Sequence, residues 1–193
     1  RLLSTENYFL FYVPETDYYY AECDINSGKE DEICNKLKEL GFNYLSTTNE
    51  KISNTMTSKY REPYIQFVYK GEEIKESESK VVLLKDEDLD YVKQTYGKPE
   101  YCDEVQQKKK IWAYYENNIL VGYIMEHLDG TTGGLFTKPE FRKRGYGTLL
   151  LKEGFSKVKK FVRHTQVSFD NIPSIKLHEK IKCIRADITI YWN

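Results

Sequence analysis

Three cations and two glycines, Arg142-Lys143-Arg144-Gly145-Tyr146-Gly147, stand directly ahead of an apolar run with helical spacing. A strand that passes through a glycine turn into a helix leaves the first backbone N–H groups of that helix unpaired and facing outward. An anion satisfies them. The glycines have no side chain to hold a phosphate off the backbone, and the cations add their charge to the helix dipole, so a pyrophosphate is the natural guest. Other phosphate motifs fit worse: the sequence has no GxxxxGK[ST], and no GxGxxG follows a strand.

Charge is distributed in keeping with that reading. The chain has 193 residues with 29 basic and 30 acidic side chains, a net charge of −1. Between Lys138 and Arg163, nine cations face only Glu140 and Glu153, so this segment carries +7 and the remainder −8. Near-neutral composition gives no case for bulk binding to nucleic acid or to an anionic membrane. No apolar run approaches the ~20 residues of a membrane span, and the opening residues do not read as a signal peptide. Cys23, Cys34, Cys102 and Cys183 are scattered, with no CxxC and no histidine at ligand spacing. Neither a metal site nor a disulfide framework is indicated, and a reducing, cytoplasmic compartment fits best. Because the sequence starts at Arg1 rather than methionine, it reads as a piece of a longer chain.

The elements that must position the basic turn follow from patterning. Residues 71–80, GEEIKESESK, are charged and without periodicity, which places a linker there and divides the chain into domains at 1–79 and 80–193. Before the linker, NYFLFYV, DYYYAECD and PYIQFVYK read as strands on their aromatic content. EDEICNKLKEL reads as a helix stopped by Gly41. After it, VVLL is a short strand and DEDLDYVKQTYG a helix ending at Gly97. IWAYY and ILVGYIMEHL form a hairpin across Glu116, Asn117 and Asn118, and TTGGLFT is a further strand. From Gly147 onward Leu151, Phe155, Val158 and Val162 mark one helical face. HTQVSF is a strand, PSIKLHEKI a short helix and CIRADITIYW a final strand or pair of strands. The expected class is α/β (α+β), with a smaller β-α-β domain ahead of the main one.

The basic turn resembles the (Q/R)xxGx(G/A) signature of the GNAT superfamily of acyl-CoA N-acyltransferases. LFTKPEF, ahead of it, is similar to that family's fourth strand and its Pro-Glu-aromatic exit. Asn171-Ile172-Pro173-Ser174-Ile175-Lys176-Leu177-His178-Glu179-Lys180-Ile181 resembles the N-x-x-(A/S)-x-x-L-Y-E-K-L segment of its last helix. The resemblance covers residues 81–193. It implies the GNAT fold, a mixed, mostly antiparallel sheet flanked by helices, with acetyl-CoA as cosubstrate in a V-shaped gap between the fourth and fifth strands. The pantetheine arm would pair with the backbone of Leu135, Phe136 and Thr137 and touch Asn171. The pyrophosphate would meet the amides of Arg144, Gly145, Tyr146, Gly147 and Thr148, beside Arg142 and Lys143.

Moving an acyl group from a thioester to an amine needs a neutral amine, a donor for the developing oxyanion and a proton for the departing thiolate. The family usually places a tyrosine on the last helix to protonate the sulfur. Here His178 holds that position, either as the acid through the correctly protonated nitrogen or as a packing residue. Ser174, one turn earlier, contacts the cofactor or packs as a small residue. Glu126, near the end of its strand, is the candidate general base, with a solvated strand end and catalysis by water as its alternatives. Gly133 and Gly134 inside a strand mark a bulge, make room for the acceptor or extend the Asp129-Gly130 turn.

In the first domain, AECDINSGKEDEICNKLKELGF is similar to the family's fifth-strand and last-helix segment, which reads residues 1–79 as the end of a degenerate second module. No basic glycine turn precedes it, so no CoA is expected there. Glycine N-acyltransferases are similar in pairing a non-catalytic module with an active one. The expected function is acetyl transfer to a primary amine of an unidentified acceptor, with small molecules and amino acids in view. A non-catalytic CoA sensor is the first alternative. Nucleic-acid binding through the basic segment, Tyr146 and the GTTG turn is the second, and the clustering of the cations at one turn argues against it.

Overall fold

The structure is a computed structural model that describes residues 3–4, 8–14, 17–24, 27–56, 61–72, 75, 78–158 and 163–192. Two compact units are present. One comprises Arg1–Gln66, Val167–Asn171 and Ala186–Asn193, and the other Phe67–Gln166 and Ile172–Arg185.

In the first unit, β1 (Leu3–Ser4), β2 (Tyr8–Val13) and β3 (Tyr18–Cys23) pair antiparallel. The helix α1 (Glu30–Leu40) then returns the chain to β4 (Tyr44–Thr47), which lies parallel to β3 with Tyr18 opposite Tyr44. Its end is set by Gly41, whose left-handed backbone lets its N–H reach the carbonyls of Leu37 and Lys38 at 3.1 and 3.3 Å. A six-residue helix, α2 (Glu50–Thr55), starts where the Asn49 side chain accepts the Ile52 amide at 3.1 Å. Leu10, Ala21, Ile33, Leu37, Leu45 and Ile52 form this unit's core. No sequence expectation covers β4 or α2, because four and six residues are too few for a period to show.

β5 (Glu62–Tyr69) carries the chain out of the first unit into the second. There the short β6 (Val82–Leu83) is followed by α3 (Leu89–Tyr96) and α4 (Pro99–Gln107). Then come β7 (Ile111–Glu116), β8 (Ile119–Glu126) and β9 (Thr132–Thr137), making an antiparallel sheet in the order β6-β7-β8-β9. The hairpin between β7 and β8 turns on Asn117 and Asn118, both at positive φ, as a two-residue hairpin turn requires. Helix α4 is an element the sequence reading lacks. Proline at its first position starts it, and Cys102 and Val105 are the buried residues that hold it.

Leu84, Val92, Cys102, Val105, Ile111, Tyr123 and Met125 make the core under α3 and α4. After β9 comes α5 (Tyr146–Lys157), which buries Leu150, Leu151 and Phe155. It is shorter than the helix expected to reach Val162. The β-branched Val158 is already extended, at φ −80° and ψ 106°, and buries its side chain from there. Val162 lies outside the described residues. The chain continues through β10 (Arg163–Ser168), α6 (Ile172–Lys180) and β11 (Ile184–Trp192), the last a single strand. Residues 186–192 of β11 return to the first unit and pair antiparallel with β4, Trp192 opposite Ser46.

A buried carboxylate pins α5 to residues 79–81, just ahead of β6. One oxygen of Glu153 accepts the Ser79 hydroxyl at 2.7 Å, the Lys80 amide at 2.7 Å and the Val81 amide at 2.9 Å. Replacing it with alanine strands the buried Val81 amide and takes the acceptor from the half-buried Ser79 hydroxyl and the exposed Lys80 amide. At ~1–3 kcal/mol for a buried group left unpaired, Glu153→Ala is expected to lower stability by about 1–3 kcal/mol. Denaturant unfolding checks this as a drop in midpoint with an unchanged slope.

Candidate functional site

Strand β9 is where the basic turn begins. It pairs with β8 along one edge and is the last strand of its sheet, so its other edge, along Leu135, Phe136 and Thr137, pairs with no strand among the described residues. The Phe136 ring points inward, stacked on Tyr123 with centroids 5.5 Å apart. The chain then tightens into one 3-10 turn at Pro139–Phe141, with the Phe141 amide on the Lys138 carbonyl at 2.9 Å. Arg142 Nε closes this corner by donating to the Thr137 carbonyl at 3.0 Å.

Two left-handed residues aim the amides that follow. Lys143 has φ 61° and Gly145 φ 92°, a non-glycine and a glycine in the region where glycine is at home. Helix α5 opens directly after Gly145, with no side chain capping it. The amides of Thr148 and Leu149 both donate to the Gly145 carbonyl, at 3.0 and 3.1 Å. Among the described residues, no protein oxygen accepts from the amides of Lys143, Arg144, Gly145, Tyr146 or Gly147. Residues 142–145 are exposed. The turn therefore presents successive N–H groups and three cationic side chains at the positive end of a helix, an arrangement chemically suited to an anion. The Thr148 amide, expected among these donors, is occupied by the Gly145 carbonyl.

Tyr146 contributes backbone only: its hydroxyl bonds the Glu116 carboxylate and its ring stacks on Tyr114 at 5.3 Å. Around Gly147 the pieces converge, since a Cβ there would lie 3.5 Å from Leu177 of α6 and 3.8 Å from the Thr137 hydroxyl of β9. Asn171 is exposed and belongs to the first unit, its amide donating to the Ser168 carbonyl at 3.0 Å.

On α6, His178 is only 2% exposed and stacks on Phe67 with centroids 5.1 Å apart. Its Nδ1 lies 2.7 Å from the Ser174 carbonyl, which accepts only, so Nδ1 carries the proton. The Ser174 hydroxyl sits 3.4 Å from the same nitrogen. Nε2 is left with a lone pair, buried and without a partner among the described residues. Burial also holds the ring's pKa below the ordinary histidine value, against the pull of the Ser174 carbonyl. In this state His178 accepts a hydrogen bond at Nε2 and gives none there. Glu126 is committed to an ion pair, 2.7 Å from Lys110 Nζ with its side chain 13% exposed.

The structure adds a group that the sequence reading passes over. Opposite Met125 and Tyr123, strand β9 holds an extra residue: Tyr123 pairs with Phe136, but Met125 pairs with Gly133. This is a β-bulge, with Gly134 at φ 59°. A Cβ on Gly134 would collide with the Met125 side chain, and one on Gly133 with His127 Nε2. Gly133 thus makes room for the His127 ring. That ring lies 5.9 Å from Tyr101 and 6.1 Å from Tyr96. The Tyr101 hydroxyl accepts the Leu128 amide at 3.2 Å and sits 2.9 Å from His127 Nδ1. Burial lowers the His127 pKa, opposed by Asp129 and reinforced by Lys98. A histidine two residues past Met125, facing paired glycines, is the signal, but it is readable only once the strand register is known.

These features accord with comparisons to known proteins. The family model for the acetyltransferase (GNAT) family matches residues 77–182, and the chain belongs to that family. A search of curated sequences finds no match. Among solved structures, a Drosophila protein is similar at TM-score 0.67 and 14% identity, over 96% of this chain and 72% of its own. A GNAT-family protein from Novosphingobium aromaticivorans gives 0.58 and 14%, over 90% and 82%. An acetyltransferase of the family from Colwellia psychrerythraea gives 0.59 and 12%, over 96% and 80%. At such identities the likeness is one of fold. Among the described residues, no cluster of side chains suits a metal ion and no helix is long and apolar enough to cross a membrane.

The buried imidazole of His178 has a consequence for stability. Its folded pKa lies below the ordinary ~6.5, so as pH falls through that value the unfolded chain takes up a proton that the folded chain refuses. Stability contributed by the neutral ring is complete above pH ~6.5 and declines below it. His178→Phe, which keeps a ring against Phe67, is expected to lose less stability than the wild type between pH 7 and 5, as read from urea midpoints across that range.

Proposed function

We propose that the chain is an acyl-CoA-dependent N-acetyltransferase, moving an acetyl group from acetyl-CoA to a primary amine. The reading is carried by the run of unoccupied amides at Lys143–Gly147, flanked by Arg142, Lys143 and Arg144 at the end of an open strand edge. A diphosphate matches that run in charge and in acceptor number. The edge of β9 at Leu135, Phe136 and Thr137 would hold the amide-bearing arm of the same molecule beside the Thr137 carbonyl that Arg142 takes, with Ser174 as a further contact. CoA supplies the activated thioester, and the protein's part is to hold it in line with the amine.

Proton movements follow from the tautomers. Attack by a neutral amine on the carbonyl carbon forms the C–N bond; breaking the C–S bond then requires one proton on sulfur and the loss of one from nitrogen. With Nδ1–H committed to Ser174 and Nε2 buried, His178 has no proton to give the thiolate. The proton on nitrogen is then the source for sulfur. Glu126 acts as base toward an incoming ammonium only if Lys110 releases it. A non-catalytic CoA sensor is the second reading, favoured by that same commitment of the His178 proton.

For residues 1–79 we propose a GNAT-like module that holds no CoA. Its strand-helix-strand order is β3-α1-β4, and α1 carries Glu30, Asp31 and Glu32 in its first turn, acids that repel a phosphate. The acceptor class stays open between small amines and amino acids. The scattered cysteines and a CoA substrate fit a cytoplasmic setting.

Calorimetric titration with CoA tests the central reading. Gly145→Glu puts a carboxylate among the amides and adds a Cβ at φ 92°, so CoA affinity is expected to fall at least a hundredfold, about 2.7 kcal/mol. Unchanged affinity would refute it. Free-thiol release with a panel of amines separates enzyme from sensor, because tight CoA binding with no turnover on any amine supports the sensor.

A further inference from the structure

We propose that His127 is a further catalytic residue of this acyl transfer, its Nε2–H donating a hydrogen bond to the carbonyl oxygen of the thioester. The proposal rests on the reading of the basic turn as a CoA site. It begins with the direction of a chain of donors. The Leu128 amide donates to the Tyr101 oxygen, so the Tyr101 proton is free to point elsewhere, and His127 Nδ1 at 2.9 Å is the acceptor beside it. Nδ1 then carries the lone pair and Nε2 the proton. Each donation polarises the next, and the series ends in an N–H with no partner among the described residues.

That N–H is set beside β9. Nε2 occupies the place where a side chain on residue 133 would be, above the strand whose free edge is proposed to carry the CoA arm. An arm that starts at the basic turn and runs back along Thr137, Phe136 and Leu135 arrives at the bulge of Gly133 and Gly134. At ~3.3 Å per residue, Thr137 to Gly133 spans roughly 13 Å. The reactive end of the molecule is therefore brought to the residue pair that His127 overhangs. Unlike His178 Nε2, this nitrogen is not among the sealed, unpartnered atoms.

Burial keeps the ring neutral near pH 7, so His127 acts as a donor without a net charge of its own. As the amine attacks, negative charge builds on the carbonyl oxygen, and the N–H shortens toward it. When the C–S bond breaks the charge leaves the oxygen, and the proton stays on Nε2 throughout. Tyr101 is a positioning residue: it fixes ring orientation and tautomer and touches no reacting atom.

Nitrogen-15 NMR of the full chain, run beside calorimetry with CoA and with acetyl-CoA, tests this. The free protein is expected to show His127 protonated at Nε2, and acetyl-CoA to shift that resonance while CoA does not. Tyr101→Phe should mix the two tautomers yet leave acetyl-CoA affinity within about twofold. In free-thiol release from acetyl-CoA with glycine, a polyamine or water as acceptor, His127→Phe is expected to lose on the order of a hundredfold in kcat. His127→Gln, which restores an N–H, should recover part of it. An Nε2 resonance unmoved by bound acetyl-CoA, or full turnover in His127→Phe, would overturn the proposal and leave the CoA reading intact. Failure of acetyl-CoA to bind at all removes both.

Discussion

Unpaired amides at the start of α5 are the constraint around which the second unit is arranged. A helix normally finds side chains for its first N–H groups, and leaving the amides of Lys143 to Gly147 without a protein acceptor among the described residues gives up that stabilisation unless a ligand restores it. The surrounding structure holds the arrangement rigidly. Arg142 ties the corner to the Thr137 carbonyl, Lys143 and Gly145 take left-handed backbone, and Leu150, Leu151 and Phe155 anchor the helix in the core. Glu153 fixes the far part of the same helix to residues 79–81. The turn is thus preorganised, and a ligand meets donors that need not reorder.

Strand β9 works with different chemistry on its edge and on its face. Its free edge offers backbone groups, suited to any arm with amide character. Its inner face is stripped of side chains at Gly133 and Gly134, and that space is taken by Met125 and His127. A bulge here is what brings two successive residues toward the same face, which a regular strand cannot do. Two histidines then lie in contrasting states within one unit. His178 keeps its proton on Nδ1 for the Ser174 carbonyl, whereas the proposed donor chain through Tyr101 gives His127 its proton on Nε2. Both are neutral because both are buried.

Much of this was legible in the residues. The basic glycine turn, the strand before it and the helix after it follow from local chemistry that acts over a dozen positions, and the Asn117-Asn118 hairpin is equally local. Helix α4 and the short elements β4 and α2 were not legible, because their few buried positions carry no period long enough to read. The end of α5 depended on Val158 turning extended to bury itself, a tertiary choice. His127, Tyr101 and Lys110 escaped for a related reason. Tyr101 meets His127 only where α4 packs beside β8 and β9, and Lys110 meets Glu126 only where β7 pairs with β8, so no spacing in the sequence reports them. Likewise the tautomer of His178 is decided by a carbonyl four residues back, which residue type alone does not reveal.

Synthesis order gives the C-terminal strand a particular importance. Residues 186–192 of β11 sit in the unit built mainly from the opening third of the chain, with Trp192 across from Ser46 and edge-on to Tyr18 at 4.7 Å. On a ribosome adding ~5–20 residues per second, that unit waits roughly 7–30 s between making β4 and receiving its last strand. Until then the outer edge of β4 is an open template for pairing, the kind of edge that attracts chaperones or neighbouring chains. A chain cut short ahead of Ala186 would therefore leave its damage in the unit that holds β4, far in sequence from the cut.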